Sequence, residues 1–270
     1  MRHGRVLIVA GSDSGGGAGI QADIKTVTAL GGYAASAVTA LTAQNTRGVF
    51  GVVGVEPAFI QEQMRVVLDD IGAEAIKTGM LHSAPVIAAV AQVLEAQDPA
   101  VPVVVDPVMV ATSGDSLLDP GAEGALATCL LPLAAVLTPN APEAARLSGI
   151  PVENADDMAR AGAALRAQGA RAVLVKGGHV PGPVVRDLLL TPAGAQWFES
   201  PRIDTPHTHG TGCTLASAIA TGLAQGLDLP AAVARARAYL HEAIRTAPGL
   251  GGGHGPVNHG HTVRPFSGED

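Results

Sequence analysis

Val101-Pro102-Val103-Val104-Val105-Asp106-Pro107 is the stretch on which the fold turns. In an extended chain successive side chains point to opposite faces. Three valines in a row therefore put apolar surface on both faces, and a carboxylate ends the run. Ala172-Val173-Leu174-Val175 repeats the pattern and is followed by Lys176. A strand with one wet face would alternate apolar with polar. A strand without alternation is covered on both sides, as in parallel sheets flanked by helices. Working outward, strand-like runs fall at residues 5–10, 33–40, 49–55, 75–78, 101–106, 135–138 and 172–175. Stretches with helical spacing lie among them at 20–30, 57–70, 83–97, 122–131, 142–147 and 155–168. Residues 184–190 and 196–199 read as a hairpin or meander, and helices at 212–226 and 231–246 close the order. This alternation predicts an α/β protein with a mostly parallel sheet covered on both faces by helices.

With 270 residues the chain is long enough to bury a full core, and neither an internal repeat nor a long linker divides it. Aromatics are only 3% of residues, so that core must be built from Ala, Val, Leu and Ile. A net charge of -7 argues against a nucleic-acid groove, which needs a basic face. It leaves phosphate binding open, because a glycine-rich cradle needs no net positive charge. No run of about 18 apolar residues is present to span a membrane, and the start of the chain does not read as a secretory signal. With Cys129 and Cys213 as its two cysteines, the chain has no disulfide framework. The expectation is a cytoplasmic protein. Residues 112–119 and 249–260 read as its most mobile segments.

In open parallel sheets, ligands bind beyond the carboxyl ends of the strands. Polar residues gather there: Asp13, Asp106, Asn140 with Glu143, and Lys176. His209-Gly210-Thr211-Gly212-Cys213-Thr214 opens a long apolar helix. Its glycines permit a tight turn, and the first helical N–H groups lack intrahelical partners. That end of the helix is an anion site. Cys213 in the same turn sits where a thiol pKa should fall. It reads as a candidate base or as a buried thiol.

Gly11-Ser12-Asp13-Ser14-Gly15-Gly16-Gly17-Ala18-Gly19 links a strand to a helix. It fits neither the dinucleotide fingerprint nor a P-loop, since no Gly-Lys-Ser/Thr follows. It reads as a ligand-facing loop or as a structural turn. Asp23, one turn into the next helix, is a ligand contact or a dipole-favouring acid. Gln44 ends a strand, where an amide that both donates and accepts suits a heteroaromatic edge, or is a solvated loop residue. Asp106 ends a buried strand, where a carboxylate is costly unless it is paired or faces a cleft, which leaves a metal or phosphate role open. Asn140 and Glu143 form a capping box, or else Glu143 holds water on Mg²⁺. Lys176, beside Gly177-Gly178, suits a phosphate oxygen or lies in a surface turn. No His-x-x-x-His, Cys-x-x-Cys or Gly-x-Ser-x-Gly pattern supports a zinc site or a serine hydrolase.

Several stretches together resemble hydroxymethylpyrimidine/phosphomethylpyrimidine kinases of thiamine biosynthesis. They are residues 9–23, Thr39-Ala40-Leu41-Thr42-Ala43-Gln44-Asn45-Thr46, Lys77-Thr78-Gly79-Met80-Leu81, Asp106-Pro107-Val108-Met109, Thr138-Pro139-Asn140, Val175-Lys176-Gly177-Gly178-His179 and His209–Thr214. They run in order over nearly the whole chain. The resemblance implies a ribokinase-like fold, a three-layer α/β/α sandwich in a single domain over residues 1–270, usually dimeric. It implies ATP with Mg²⁺ as donor and two successive phosphoryl transfers, to an aminopyrimidine alcohol and then to its monophosphate. By motif position, Gln44 and Asp23 would contact the pyrimidine, with Gly11 and Met80 lining its pocket. Gly210, Thr211 and Gly212 would form the anion hole, with Cys213 at the position of a base. Asn140, Glu143 and Lys176 would face nucleotide phosphates and metal. A pyridoxal kinase of the same fold is the nearest alternative. A nucleotide-binding sensor without turnover is the alternative from another class.

Overall fold

The computed structural model describes residues 3–97, 101–110, 114, 117–119, 121–264 and 266–268. Its strands are β1 (Arg5–Asp13), β2 (Tyr33–Asn45), β3 (Gly48–Gly54), β4 (Ala75–Thr78), β5 (Val103–Val105), β6 (Val136–Leu137), β7 (Val173–Val175), β8 (Val184–Thr191) and β9 (Gly194–Pro201). They form one sheet in the order β3-β2-β1-β4-β5-β6-β7-β8-β9. The six strands from β2 to β7 pair in parallel. The edges are antiparallel: β3 on one side, the β8–β9 hairpin on the other.

Both sheet faces are dry, as the unalternating valines require. Leu7, Val9, Val103, Val105, Val173 and Val175 face one core. It is closed by α2 (Pro57–Asp70), α3 (Ala84–Glu95), the segment from α4 (Ala122–Ala125) onward, α5 (Ala141–Ser148) and α6 (Ala155–Ala167). Val6, Ile8, Val104 and Leu174 face the other, under α1 (Gly19–Ala29), α7 (Thr211–Ala224) and α8 (Leu229–Arg245). Val104 alone, fully buried, contributes roughly 1.5–3 kcal/mol. The result is the expected three-layer α/β/α sandwich.

Three local departures bear on the site. β1 does not stop at Ala10 but runs on to Asp13, past a register shift between Ala10 and Ser12. That irregularity sits at Gly11, where an added Cβ would lie 3.0 Å from Met80 Sδ. β2 likewise overruns its expected end and carries Gln44 into the hairpin with β3. The helix expected over 122–131 widens after α4 into a π-helical stretch, Leu126–Leu130, and then tightens into a 3-10 turn, Leu131–Leu133. Pro132 lacks the N–H that an α-helical continuation needs.

The two segments read as mobile fare differently. Residues 112, 113, 115 and 116 lie outside the described residues, while Leu117 and Leu118 are buried. Residues 249–260 are packed rather than loose. His209 N–H donates to Gly255 O at 3.1 Å, His254 N–H to Thr46 O at 2.8 Å, and Asn258 N–H to Ala243 O at 2.9 Å. His259 is buried, its Nε2 3.0 Å from Thr214 Oγ1. Burial holds the His259 pKa down at about 4, so the ring is neutral at pH 7.

Candidate active site

The carboxyl ends of β1, β4, β5 and β7 and the start of α7 surround a cavity of about 580 Å³. Gly11, Gln44, Met80, Asp106, Asn140, Glu143, Lys176, Gly210, Thr211, Gly212 and Cys213 all line it. All the sequence-assigned site residues but one therefore share a single cleft.

The turn before α7 is built by contact. Gly210 is left-handed at φ 83°, and a Cβ there would meet Gly17 O at 1.9 Å. Only glycine fits, so the turn is pressed against the glycine-rich loop after β1. The N–H groups of Gly212 and Cys213 fall in the first turn, where no intrahelical acceptor exists. Both residues line the cavity, with the helix dipole behind them.

The loop after β1 is organised by Asp13. Its Oδ1 accepts from Gly15 N at 2.8 Å, and its Oδ2 from Gly17 N at 3.0 Å and Ala18 N at 2.8 Å. His209 Nε2 lies 2.9 Å from the same Oδ2. Desolvation opposes the Asp13 charge, but His209 and these amides outweigh it and hold its pKa below the usual carboxylate value. Gln44 Nε2 lies 3.5 Å from His209 Nε2, and Gln44 Oε1 lies 3.2 Å from Thr42 Oγ1.

Asp23 is the residue that the cleft leaves out. It was expected to touch the pyrimidine, yet it is fully buried behind the wall and binds Lys77 Nζ at 2.8 and 2.9 Å. Ser217 Oγ donates to it at 2.6 Å. Its partner Lys77 lies against the cavity wall, with its side chain fully buried. Burial works hardest against the Lys77 ammonium, but the charge and hydrogen bond of Asp23, together with the neighbouring Asp106 charge, outweigh it and keep its pKa above the ordinary lysine value.

The Cys213 expectation is corrected in the same way. Burial drives the thiol pKa up to about 12, against the pull of Lys77 beneath it. Desolvation outweighs the helix terminus, so the resting group at pH 7 is a thiol.

At the far end, Asn140 and Glu143 form the complete capping box of α5, with bonds of 2.8 and 2.9 Å. Glu143 nonetheless faces the cavity. Lys176 Nζ donates to Asp106 Oδ1 at 3.0 Å, and Thr138 Oγ1 donates to that oxygen at 3.1 Å. Burial lifts the Glu143 pKa to about 7, with Lys176 opposing and Asp106 adding to the rise. Two carboxylates thus share one ammonium, an oxygen-rich pair short of positive charge. A divalent cation fits such a donor set. Among the described residues no three acidic, His or Cys side chains converge, which suits an ion that keeps waters and borrows phosphate oxygens.

Sequence reasoning missed Asp187 and Arg237, which also line the cavity. Arg237 Nε donates to Asp187 Oδ2 at 2.7 Å, and Gly177 N–H donates to Asp187 Oδ1 at 2.7 Å. This pair pins the Gly177-Gly178 turn after Lys176. Fifty positions separate the two residues, and no local pattern announces them.

An open helix terminus, an ammonium and two carboxylates around one cavity at the strand ends of a ribokinase-like fold are the parts a small-molecule phosphotransferase uses. Comparison with known proteins narrows this. A family model described as Phosphomethylpyrimidine kinase matches residues 13–258. The hydroxymethylpyrimidine/phosphomethylpyrimidine kinase of Streptomyces coelicolor is 52% identical over 255 residues, covering 94% of each chain. The thiamine biosynthesis bifunctional protein ThiED of Geobacter sulfurreducens is 56% identical over 257 residues, 95% of this chain. The chain spans about half of that relative, 52% of its length. The solved pyridoxal kinase of Staphylococcus aureus in complex with ADP matches with a TM-score of 0.90 at 35% identity. That match covers 98% of this chain and 96% of that one. The chain belongs to the phosphomethylpyrimidine kinase family.

Proposed function

We infer that the chain is a hydroxymethylpyrimidine/phosphomethylpyrimidine kinase of thiamine biosynthesis. It passes the terminal phosphoryl of ATP to the hydroxymethyl group of the aminopyrimidine, and a second phosphoryl to the resulting monophosphate. One observation carries this reading: the open helix terminus at Gly212 and Cys213 shares a cavity of about 580 Å³ with Gln44. A phosphoryl group at one end and a polar ring at the other would lie within one enclosure.

Phosphoryl transfer depends on alignment and on neutralising charge more than on covalent help. The ring sits between Gly11, Met80 and the Gln44 amide, which donates and accepts along one edge. The N–H groups of Gly212 and Cys213 hold the phosphoryl as it moves, while that of Thr211 is given to Thr208 O at 3.3 Å. Asn140 and Lys176 face the nucleotide phosphates. Asp106 and Glu143 would hold Mg²⁺, which when bound neutralises phosphate charge. Asp23 acts through Lys77, keeping an ammonium under the reacting groups.

Cys213 remains the side chain placed to take the alcohol proton. With a thiol pKa of about 12, it must first give its own proton to an ionised phosphate oxygen of the donor. Proton movement therefore comes late, as the new bond forms. The second transfer attacks from an ionised phosphate oxygen and needs no base.

Pyridoxal as acceptor is the second reading, supported by the likeness to the Staphylococcus aureus pyridoxal kinase. The Gln44 amide favours the aminopyrimidine edge. A homodimer joined through the β2–β3 hairpin belongs to the same reading, as does a cytoplasmic site of action, where ATP is at hand. A coupled ADP-release assay tests the assignment with the aminopyrimidine alcohol, its monophosphate, pyridoxal and ribose as acceptors. The two pyrimidines should give the highest kcat/KM. Preference for pyridoxal would replace the reading with its alternative, and no acceptor-dependent ADP would leave a sensor.

A further inference from the structure

His209 is used neither as a ligand to phosphate nor as a base, yet three separate segments converge on it. Its N–H donates to Gly255 O at 3.1 Å. Its ring packs so closely on the glycine-rich loop that a Cβ at Gly17 would lie 2.5 Å from His209 Cδ2. Its Nε2 is 2.9 Å from Asp13 Oδ2, with side chains only 9% and 3% exposed. The same nitrogen is 3.5 Å from the end of the Gln44 amide. The next residue is Gly210, the N-cap of α7.

Proton counting orders these contacts. A carboxylate that accepts three backbone N–H groups only accepts, so the Nε2 hydrogen belongs to the His209–Asp13 bond. Thr42 Oγ1 lies 2.9 Å from Ser12 O and 3.2 Å from Gln44 Oε1, within reach of both with its single hydroxyl hydrogen. The other end of the Gln44 amide, Nε2, lies 3.5 Å from His209 Nε2. Thr42 and His209 thereby bracket the Gln44 amide from its two ends, and His209 limits where that amide can lie against the ring.

We propose that His209 is a positioning residue and a determinant of acceptor specificity. Its bond to Asp13 and its contact with Gln44 tie the ring-reading side of the cleft to the phosphate-gripping turn that starts at the next residue. The inference rests on the reading that Gln44 contacts the pyrimidine. It goes beyond that reading in making ring recognition and phosphoryl transfer interdependent.

The test is a double-mutant cycle of His209→Ala and Gln44→Ala, read as kcat and KM for the aminopyrimidine alcohol and KM for ATP. Residues in contact couple, so the proposal expects non-additivity of at least about fivefold in kcat/KM for the alcohol, with the ATP KM moving much less. His209→Gln, whose amide NH₂ can reach the Nε2 position, should restore activity to within about threefold, while His209→Phe, similar in size but without a donor, should not. If the alanine variant fails to fold, the Gln and Phe variants alone decide. Equal behaviour of those two, or additivity in the cycle, overturns the proposal, and so does a lowered Tm with unchanged kinetic constants. An alcohol KM unmoved by Gln44→Ala sinks the Gln44 reading and this inference together. Additivity with a raised KM in Gln44→Ala sinks this inference alone.

Discussion

At the scale of single residues, the cleft is governed by what desolvation does to each charge. The thiol of Cys213 looked like a depressed, reactive group from its place at a helix start. Burial reverses that and sends it to about 12. This makes the first transfer the sensitive one. Cys213→Ala should lower the single-turnover rate of alcohol phosphorylation by at least about a hundredfold, the low end of general-base effects. The transfer to the monophosphate should change little, and equal losses in both would leave Cys213 as a packing group. Lys77 makes a second case. Lys77→Met strands the Asp23 carboxylate in the interior, where the Ser217 hydroxyl still donates to it. Breaking such a pair costs about 3–5 kcal/mol, and replacing both partners by apolar groups recovers much of it. Urea unfolding of Lys77→Met and of Lys77→Met/Asp23→Leu checks this; a double variant no more stable than the single would deny the pair its structural role. The site's residue types were readable from the sequence wherever they follow a strand directly, as Asp106 and Lys176 do. The Asp13–His209 bond spans 196 positions, and the Asp23–Lys77 pair depends on which way a helix is rotated. Local pattern carries neither.

At the scale of elements, apolar periodicity gave good bounds wherever a regular helix or buried strand ended in an ordinary break. α2 and β4 fall over the expected residues, 57–70 and 75–78. β1 and β2 overran their expected ends because Gly, Ser, Asp and Asn read as loop. Pairing across the ladder, with Ser12 opposite Leu41 and Asp13 opposite Thr42, keeps them extended. Those overruns carry Asp13 and Gln44 into the cleft. α5 shows one element serving both fold and site, since Glu143 caps the helix and faces the cavity. Its pKa of about 7 has a sign that can be worked out. In the unfolded chain Glu143 loses its proton near its ordinary 4.5, while in the folded chain it holds on until about 7. Between those values the folded state binds more protons, so stability falls as pH rises. The full effect is roughly 3 kcal/mol. Melting of the ligand-free protein from pH 5 to 7.5 should show this loss. Glu143→Gln keeps a capping-box acceptor and should flatten the slope. Mg²⁺ added at pH 7.5 should raise the wild-type Tm more than that of the variant. A variant with the same slope and the same Mg²⁺ response would show that the titrating group is another.

At the scale of the whole molecule, the unexplained surface is the outer side of the β2–β3 hairpin. The two faces of this hairpin differ. Val49 and Val52 turn inward and pack with Met80 and Leu117 over the ring end of the cavity. Leu41 and Val53, opposite one another across the ladder, are 53% and 66% exposed, and Phe50 is 71% exposed. An edge strand with apolar side chains outward is an association surface unless something covers it. A second copy related by a two-fold axis would cover it with the same patch. A charge at its centre should then break the assembly. Phe50→Asp is expected to halve the mass seen by light scattering, while Phe266→Asp, a charge at a site 94% exposed and outside the hairpin, should leave it unchanged. Because the inner face of the hairpin rests on Met80, loss of the dimer should also loosen the ring pocket. The alcohol KM of Phe50→Asp should rise, while that for ATP, assigned by the proposed function to the other end of the cleft, should hold. A monomeric wild type, or a Phe50→Asp protein of undiminished mass, would remove the hairpin from any role in assembly.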